Sequence, residues 1–342
     1  MLHGRRWLAL VLAFVVALPL LGQEKDPKKP DSTEKKPDAK DKVALKWKFE
    51  KGKNFYQTMN TETSQTMKVM NNEVKQTQKQ KFYFQYTVGD QTGDNVVLTQ
   101  KIIGVVMNID IGGSKIDYDS TAPNPAGAPQ NPLSDFFKQL ISTEFKLTLD
   151  TKALKVTKVD GQKEFLEKLV KANPQMKPLL EQILSDKALI EMAEPTFAVI
   201  PTEPKAPGEN WTRKTTLDMG PIGKYENEYK YTFEGQDASS KDYKIKTETT
   251  LKYTPPSDQA AAGVGGLPFK IKSADLKSSN ATGSILFNNE KGRVAKSDMS
   301  LDLSGSLSIE IGGTTTKVDL SQTQKTTVES SDDDPLKPKK PA

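Results

Sequence analysis

The chain has 342 residues, 27% of them charged, with a formal net charge of +5, 22 glycines, 21 prolines, one histidine and no cysteine. The single histidine, His3, lies in a leader-like N-terminus, so the rest of the chain offers neither imidazole nor thiol. That excludes Ser-His-Asp and Cys-His nucleophilic sites, zinc sites built on those ligands, disulfides and a lipid-anchored lipobox cysteine.

Residues 1–22 read as a cleavable signal peptide: Arg5 and Arg6, an apolar run from Trp7 to Leu18, a break at Pro19 and small Gly22 before Gln23. Counted through Leu21 the apolar stretch is 15 residues, short of the ~20 that span a bilayer. The expectation is an exported protein, periplasmic or extracellular, with no transmembrane span after cleavage. Residues 23–42 (QEKDPKKPDSTEKKPDAKDK) carry no aromatic and no large aliphatic side chain. Such a segment cannot bury enough surface to offset its ordering entropy, and it reads as a disordered spacer.

Residues 43–159 read as a first β-rich half. Leu45, Trp47 and Phe49 alternate with Lys46, Lys48 and Glu50, and Phe82, Phe84, Tyr86 and Val88 share one face. Val96 to Ile111 is more continuously apolar and suggests a central strand pair, broken at Gly104. Ile111-Gly112-Gly113-Ser114 is a hairpin signal. A proline-rich loop from Thr121 to Pro132 precedes a short Leu133–Leu140 helix. Phe145 to Leu149 and Leu154 to Val159 follow as strands.

Residues 160–195 carry the one strong helical pattern. Phe165, Leu166, Leu169 and Val170 repeat at helical spacing after a candidate N-cap, Asp160, and Leu179, Leu180, Ile183 and Leu184 repeat it again. Asn173-Pro174 separates these two helices. A third, led by Ser185 or Asp186, is expected to end at Pro195. Each has one apolar face and a mixed Lys/Glu back, which fits packing on a sheet rather than on a membrane.

Residues 196–329 form a second β-rich half. Tyr229, Tyr231 and Phe233 share a face, as do Tyr243, Ile245, Leu251 and Tyr253. A small-residue loop runs from Tyr253 to Pro268. From Met299 to Ile311, apolar and polar residues alternate strictly, the mark of a long antiparallel strand with one wet face. Gly305 falls on the apolar side and suggests a bulge or a bend, and Gly312-Gly313 closes a hairpin. Each half holds a Trp-led strand, a Thr- and Lys-rich stretch and an aromatic strand, a pattern compatible with duplication. Residues 330–342 (SSDDDPLKPKKPA) read as a disordered tail. The expected fold is α+β, mainly β: curved antiparallel sheet built from two β-rich halves, with the helical insert packed on one face.

Phe197-Ala-Val-Ile200-Pro201, then Pro204, Pro207-Gly208 and Trp211, is the most distinctive string. Together with Tyr229-x-Tyr231-x-Phe233-x-Gly235 it resembles an uncharacterised family of secreted, β-rich bacterial proteins of the planctomycete type. The resemblance implies a signal peptide, a charged spacer and a β-rich domain with a mid-chain helical segment. It implies no activity and no catalytic residues.

Chemical motifs are few. Gly220-Pro221-Ile222-Gly223-Lys224-Tyr225 has glycines too close together for a phosphate loop, and its proline removes an amide. Asp110, Asp117 and Asp119 straddle a hairpin without the spacing of a calcium loop. Lysines are dispersed rather than clustered with aromatics, so no nucleic-acid partner is expected. No catalytic, cofactor-binding or metal-binding residue is assigned, and no cofactor is expected. The sequence favours a non-enzymatic envelope protein, a structural or interaction module for an unknown protein, polymer or lipid. A carrier of an apolar ligand is the alternative, with Leu180, Ile183, Leu184, Leu301, Leu303 and Leu307 as the candidate ligand face. A carboxylate-dyad hydrolase is the further alternative, since that chemistry needs neither His nor Cys.

Overall fold

The protein is described by a computed structural model covering residues 42–70, 72–122, 134–141, 143–172, 174–257 and 269–337. The leader, nearly all of the spacer and the centres of both long loops lie outside the described residues. The strands are β1 (Asn54–Val69), β2 (Asn72–Thr92), β3 (Asn95–Ile111), β4 (Ser114–Asp119), β5 (Glu144–Asp150) and β6 (Lys155–Asp160) in the first half. The second half supplies β7 (Asn210–Asp218), β8 (Lys224–Gln236), β9 (Tyr243–Thr254), β10 (Lys270–Asn288), β11 (Arg293–Ile311) and β12 (Thr314–Ser331). Helices α1 (Ser134–Leu140), α2 (Gln162–Ala172), α3 (Lys177–Ile183) and α4 (Asp186–Phe197), with short 3-10 turns at Pro174–Met176 and Gly220–Ile222, complete the described elements.

All the strands join one 12-stranded antiparallel sheet in the order β6-β5-β3-β2-β1-β12-β11-β10-β9-β8-β7, with β4 pairing the far half of β3. Each half is a meander, and the two join where β12 pairs with β1 from Tyr56↔Ser331 to Val69↔Val318. The free edges, β6 and β7, are not hydrogen-bonded to each other, so the sheet is not closed into a barrel. Helix α4 packs against both edge strands. A single helix can touch both edges of so wide a sheet only if the sheet curls round, and so the insert spans the gap.

Local sequence explains the framework. Gly112-Gly113 and Gly312-Gly313 both adopt positive φ at two successive positions, the geometry of the tight hairpin turn that matches strand twist. Ser185 caps α4, its hydroxyl accepting a hydrogen bond from the Ala188 amide. On the outer face of β7 to β9, Lys214, Lys230, Lys244 and Lys246 ion-pair with glutamates on the same or neighbouring strands. These exposed pairs contribute little individually but mark that face as water-facing.

Several expectations need correction. Val96 to Ile111 lies within one strand, β3, not a strand pair, and its pairing with β2 shifts register where Tyr83↔Gly104 gives way to Phe84↔Ile102. Leu45, Trp47 and Phe49 alternate but form no strand. Their segment is held instead by Val43 pairing with Lys205, by the Lys48 amide donating to the Gly292 carbonyl, and by the Trp47 indole donating to the Phe197 carbonyl at 2.9 Å. Asp160 ends β6 rather than capping α2, and Pro195 lies inside α4, which runs on to Phe197. At Gly305 the ladders with both β10 and β12 stay in register, so no bulge forms there. The residue sits at φ 145°, and a Cβ would overlap the Asp275 carbonyl oxygen of β10. Glycine at 305 therefore serves close strand approach. We expect Gly305→Ala to cost about 1–3 kcal/mol in strain alone, more than Gly312→Ala, whose added Cβ meets open space; denaturant midpoints measure the difference.

The C-terminal boundary also moves. β12 continues to Ser331, and Asp332 ion-pairs with Lys291 and Arg293 at the β10–β11 turn. The hydrogen bond from Lys291 and the charge of Arg293 hold the Asp332 carboxyl below its ordinary value, against some opposing burial. A carboxyl depressed in the folded state stabilises fully above its unfolded pKa and loses that contribution as pH falls through the folded value. Truncation after Glu329 should therefore lower stability measurably at pH 7. The difference from the full chain should shrink below about pH 4, and urea titration at both pH values reads it.

Candidate functional site

The inward face of the sheet is not uniformly apolar. Register places Thr61, Thr63 and Gln65 of β1 beside Gln80, Gln78 and Gln76 of β2 on one side, and beside Thr326, Gln324 and Gln322 of β12 on the other. Ser278 of β10, Thr247 and Thr249 of β9 and Asn227 of β8 are further buried polar residues on the same face, separated from this polar band by Leu301 and Leu303 of β11, which pair with Gln324 and Gln322. All but Gln80 are buried. On one side of the band lies an apolar cluster containing Met67, Leu307, Ile309, Val318 and Leu320. On the other lies the larger cluster of Phe55, Tyr86, Val88, Phe233 and Phe287.

Among these residues, Thr63 Oγ1, both amide atoms of Gln65, Asn227 Oδ1, Thr247 Oγ1, Thr249 Oγ1 and Ser278 Oγ have no hydrogen-bond partner. Gln76 and Gln78 bond to each other at 3.4 Å, leaving Gln76 Oε1 and Gln78 Nε2 unmatched. A buried polar group left unsatisfied costs about 1–3 kcal/mol, so such a concentration on one wall calls for an explanation. Next to the band the wall changes again. Met59, Phe82, Phe84 and Ile102 point inward yet are only half-buried, with Phe82 and Phe84 stacked at 6.0 Å.

The candidate ligand face divides between the two clusters. Leu180 is buried in the larger cluster, with Ile183 and Leu184 half-buried against it; Leu301, Leu303 and Leu307 are buried in the other, which Ile183 also touches. Ile183 and Met176 are the insert residues that touch both clusters. Leu180→Ala should cost about 2–5 kcal/mol by loss of burial, and Leu184→Ala distinctly less, as read by denaturant titration.

Titratable groups sharpen the picture. Burial pushes the Tyr86 phenol upward although Gln100 donates to it at 2.7 Å, and Tyr229 is pushed up to about 12. Helix α4 carries a half-buried acid, Glu194, among charged neighbours. Burial holds the Glu194 carboxyl above its ordinary value, Glu191 adds to this, and Lys155 and Arg213 oppose it. Glu191 accepts a hydrogen bond from the Asp218 amide at 3.0 Å and pairs with Lys187, so it is engaged in structure. Among the described residues no three His, Cys, Asp or Glu side chains gather to hold a metal ion. The Gly220–Ile222 segment is a short 3-10 turn, and Asp110, Asp117 and Asp119 accept hydrogen bonds from nearby residues of their own hairpin.

A family model matches residues 93–294, from the end of β2 through the insert to the start of β11. The chain belongs to the DUF6263 family, a family of unknown function. No curated protein matches this DUF6263 chain. Among solved structures, one on lipid–protein interactions in lipovitellin aligns at 12% identity and a TM-score of 0.41, covering 83% of this chain. The chain spans only 26% of that lipovitellin chain. DynF, from the dynemicin biosynthesis pathway of Micromonospora chersina, aligns at 6% identity and TM-score 0.19, covering 90% of this chain and 93% of its own. OccK7 of Pseudomonas aeruginosa aligns at 7% identity and TM-score 0.19, covering 82% of this chain and 99% of its own. All three scores fall below 0.5. No helix among the described residues is long and apolar enough to cross a membrane.

Proposed function

We propose that the protein is an exported, non-catalytic binding protein of the cell envelope that takes an amphipathic, lipid-like ligand into the interior of its sheet. One observation carries this reading: buried, unmatched amides and hydroxyls stand on the inward face, beside a half-buried apolar wall. A guest with an apolar body and hydrogen-bonding groups would satisfy both surfaces at once. The unpaired edges β6 and β7, bridged by α4 rather than by a ladder, give the interior an entrance that opens without breaking strand pairing.

The competing reading is a structural or interaction module with a closed core. The tight burial of Leu301, Leu303 and Leu307 favours it. Native mass spectrometry on gently purified protein separates the two. The carrier retains lipid-sized adducts that vanish on denaturation, and the closed module flies at its bare mass. A second measurement uses Gln65→Met in protein stripped of ligand. Removing an unsatisfied amide should leave stability unchanged or raise it by about 1 kcal/mol, and should diminish adduct retention. A loss of more than about 2 kcal/mol would mean that Gln65 belongs to a satisfied network, and the carrier reading would lose its foundation.

A further inference from the structure

We propose that the middle of α4 lifts from β6 and β7 as a unit, that this opening admits the guest, and that the charge on Glu194 regulates it. A neutral side chain at that position seats the helix; a charged one loosens it. As a route for a guest the opening rests on the binding reading above, but as a local motion of the chain it does not. Helix α4 touches both edge strands and yet is lightly seated. Of its 12 residues only Ala188 and Phe197 are buried. Leu189, Ile190 and Ala193 are half-buried against the larger apolar cluster, and Met192 against the other. The two ends are better fixed. The Gln162 side chain donates to the Leu184 carbonyl at 2.8 Å just before the helix, and the Phe197 carbonyl at its end accepts the Trp47 indole. Pro195 has no amide to donate to the Glu191 carbonyl, so the ladder of α4 is interrupted where the bridging part meets the fixed end.

Between those ends, charge meets the sheet edges. Glu191 accepts from the Asp218 amide at the end of β7 and pairs with Lys187. Glu194, almost one turn further on, is half-buried and forms no ion pair among the described residues. Lys155 of β6 and Arg213 of β7 attract its charge, Glu191 repels it, and the Val156 amide of β6 lends it a weak hydrogen bond. Burial outweighs these attractions and holds the carboxyl above its ordinary value. A carboxyl raised in the seated helix stabilises that seat while it is protonated, and the contribution is lost as pH rises through the raised value. Above that value a carboxylate sits in the seam short of the water it would regain if α4 lifted. Glutamine at 194 keeps the shape and an acceptor for the Val156 amide, and removes only the charge.

The chain has no cysteine, so one introduced thiol reports on one place. Ala188 of α4 and Ala281 of β10 are buried in the same apolar cluster. Ala188→Cys and Ala281→Cys are labelled with methyl methanethiosulfonate in protein stripped of ligand, each comparison at a single pH. Ala188→Cys should react at least about tenfold faster, because α4 lifts while the strand ladders stay intact. Adding Glu194→Gln should slow that labelling by at least about threefold at pH 8, and the ratio should shrink as pH is lowered towards 5. Amide exchange of α4 in the parent and in Glu194→Gln reads the same opening without a buried thiol. The proposal is overturned if the two thiols react at equal rates, or if Glu194→Gln leaves the labelling and the exchange of α4 unchanged or quickens them. Lipid-sized adducts together with equal thiol rates would overturn it and leave the binding reading standing. Fast Ala188→Cys labelling slowed by Glu194→Gln, in a protein that flies at its bare mass, would support the opening and remove only its guest.

Discussion

The pairing of β1 with β12 sets the remaining geometry. Two meanders, each with one strand at the centre and one at the edge, become a single sheet because the first and last long strands share a continuous ladder. With that seam closed, the strands left at the edges are β6 and β7, and the chain between them must span whatever gap remains. The helical insert is that span. Its last helix, α4, meets both edge strands, and the apolar positions of the insert are divided between two clusters.

The inward wall of the seam carries Thr61, Thr63 and Gln65 against Gln322, Gln324 and Thr326, where aliphatic side chains would fill a dry core more cheaply. Leucine or valine at those places would remove the desolvation cost and keep the ladder. Hydrogen-bonding groups thus stand at the centre of the sheet with apolar clusters on both sides, the combination on which the proposed function rests. The edge pair β7–β8 repeats the theme, with Arg213 of β7 and Asn227 of β8 facing inward beside aromatic neighbours.

Much of this fold was legible in the sequence. The Met299–Ile311 strand, the two Gly-Gly hairpins, the insert and its Ser185 cap follow from alternation and turn chemistry, because in those stretches inside and outside residues differ sharply in polarity. The β1–β2 hairpin was hidden for the opposite reason. Thr61, Thr63 and Gln65 alternate with Glu62, Ser64 and Thr66, so the buried face is nearly as polar as the wet one and the period of two is muted. Leu45, Trp47 and Phe49 erred the other way, since clear alternation there belongs to a segment whose backbone bonds go to turns. Arg213 is indistinguishable in sequence from its neighbour Lys214, which pairs outward with Glu228; only the register of β7 separates a buried charge from a solvated one.

Closing the sheet with its two ends has a kinetic consequence. The β1–β12 ladder joins segments separated by nearly the whole folded chain, so its loop-closure entropy is met last and nothing local can nucleate it. Until β12 is available, β1 stands as an open edge beside a completed first meander, the kind of surface that recruits strands from other molecules. The charged and hydroxylated side chains along its outer face, Glu62, Ser64, Thr66 and Lys68, make that waiting edge a poor template for a neighbour.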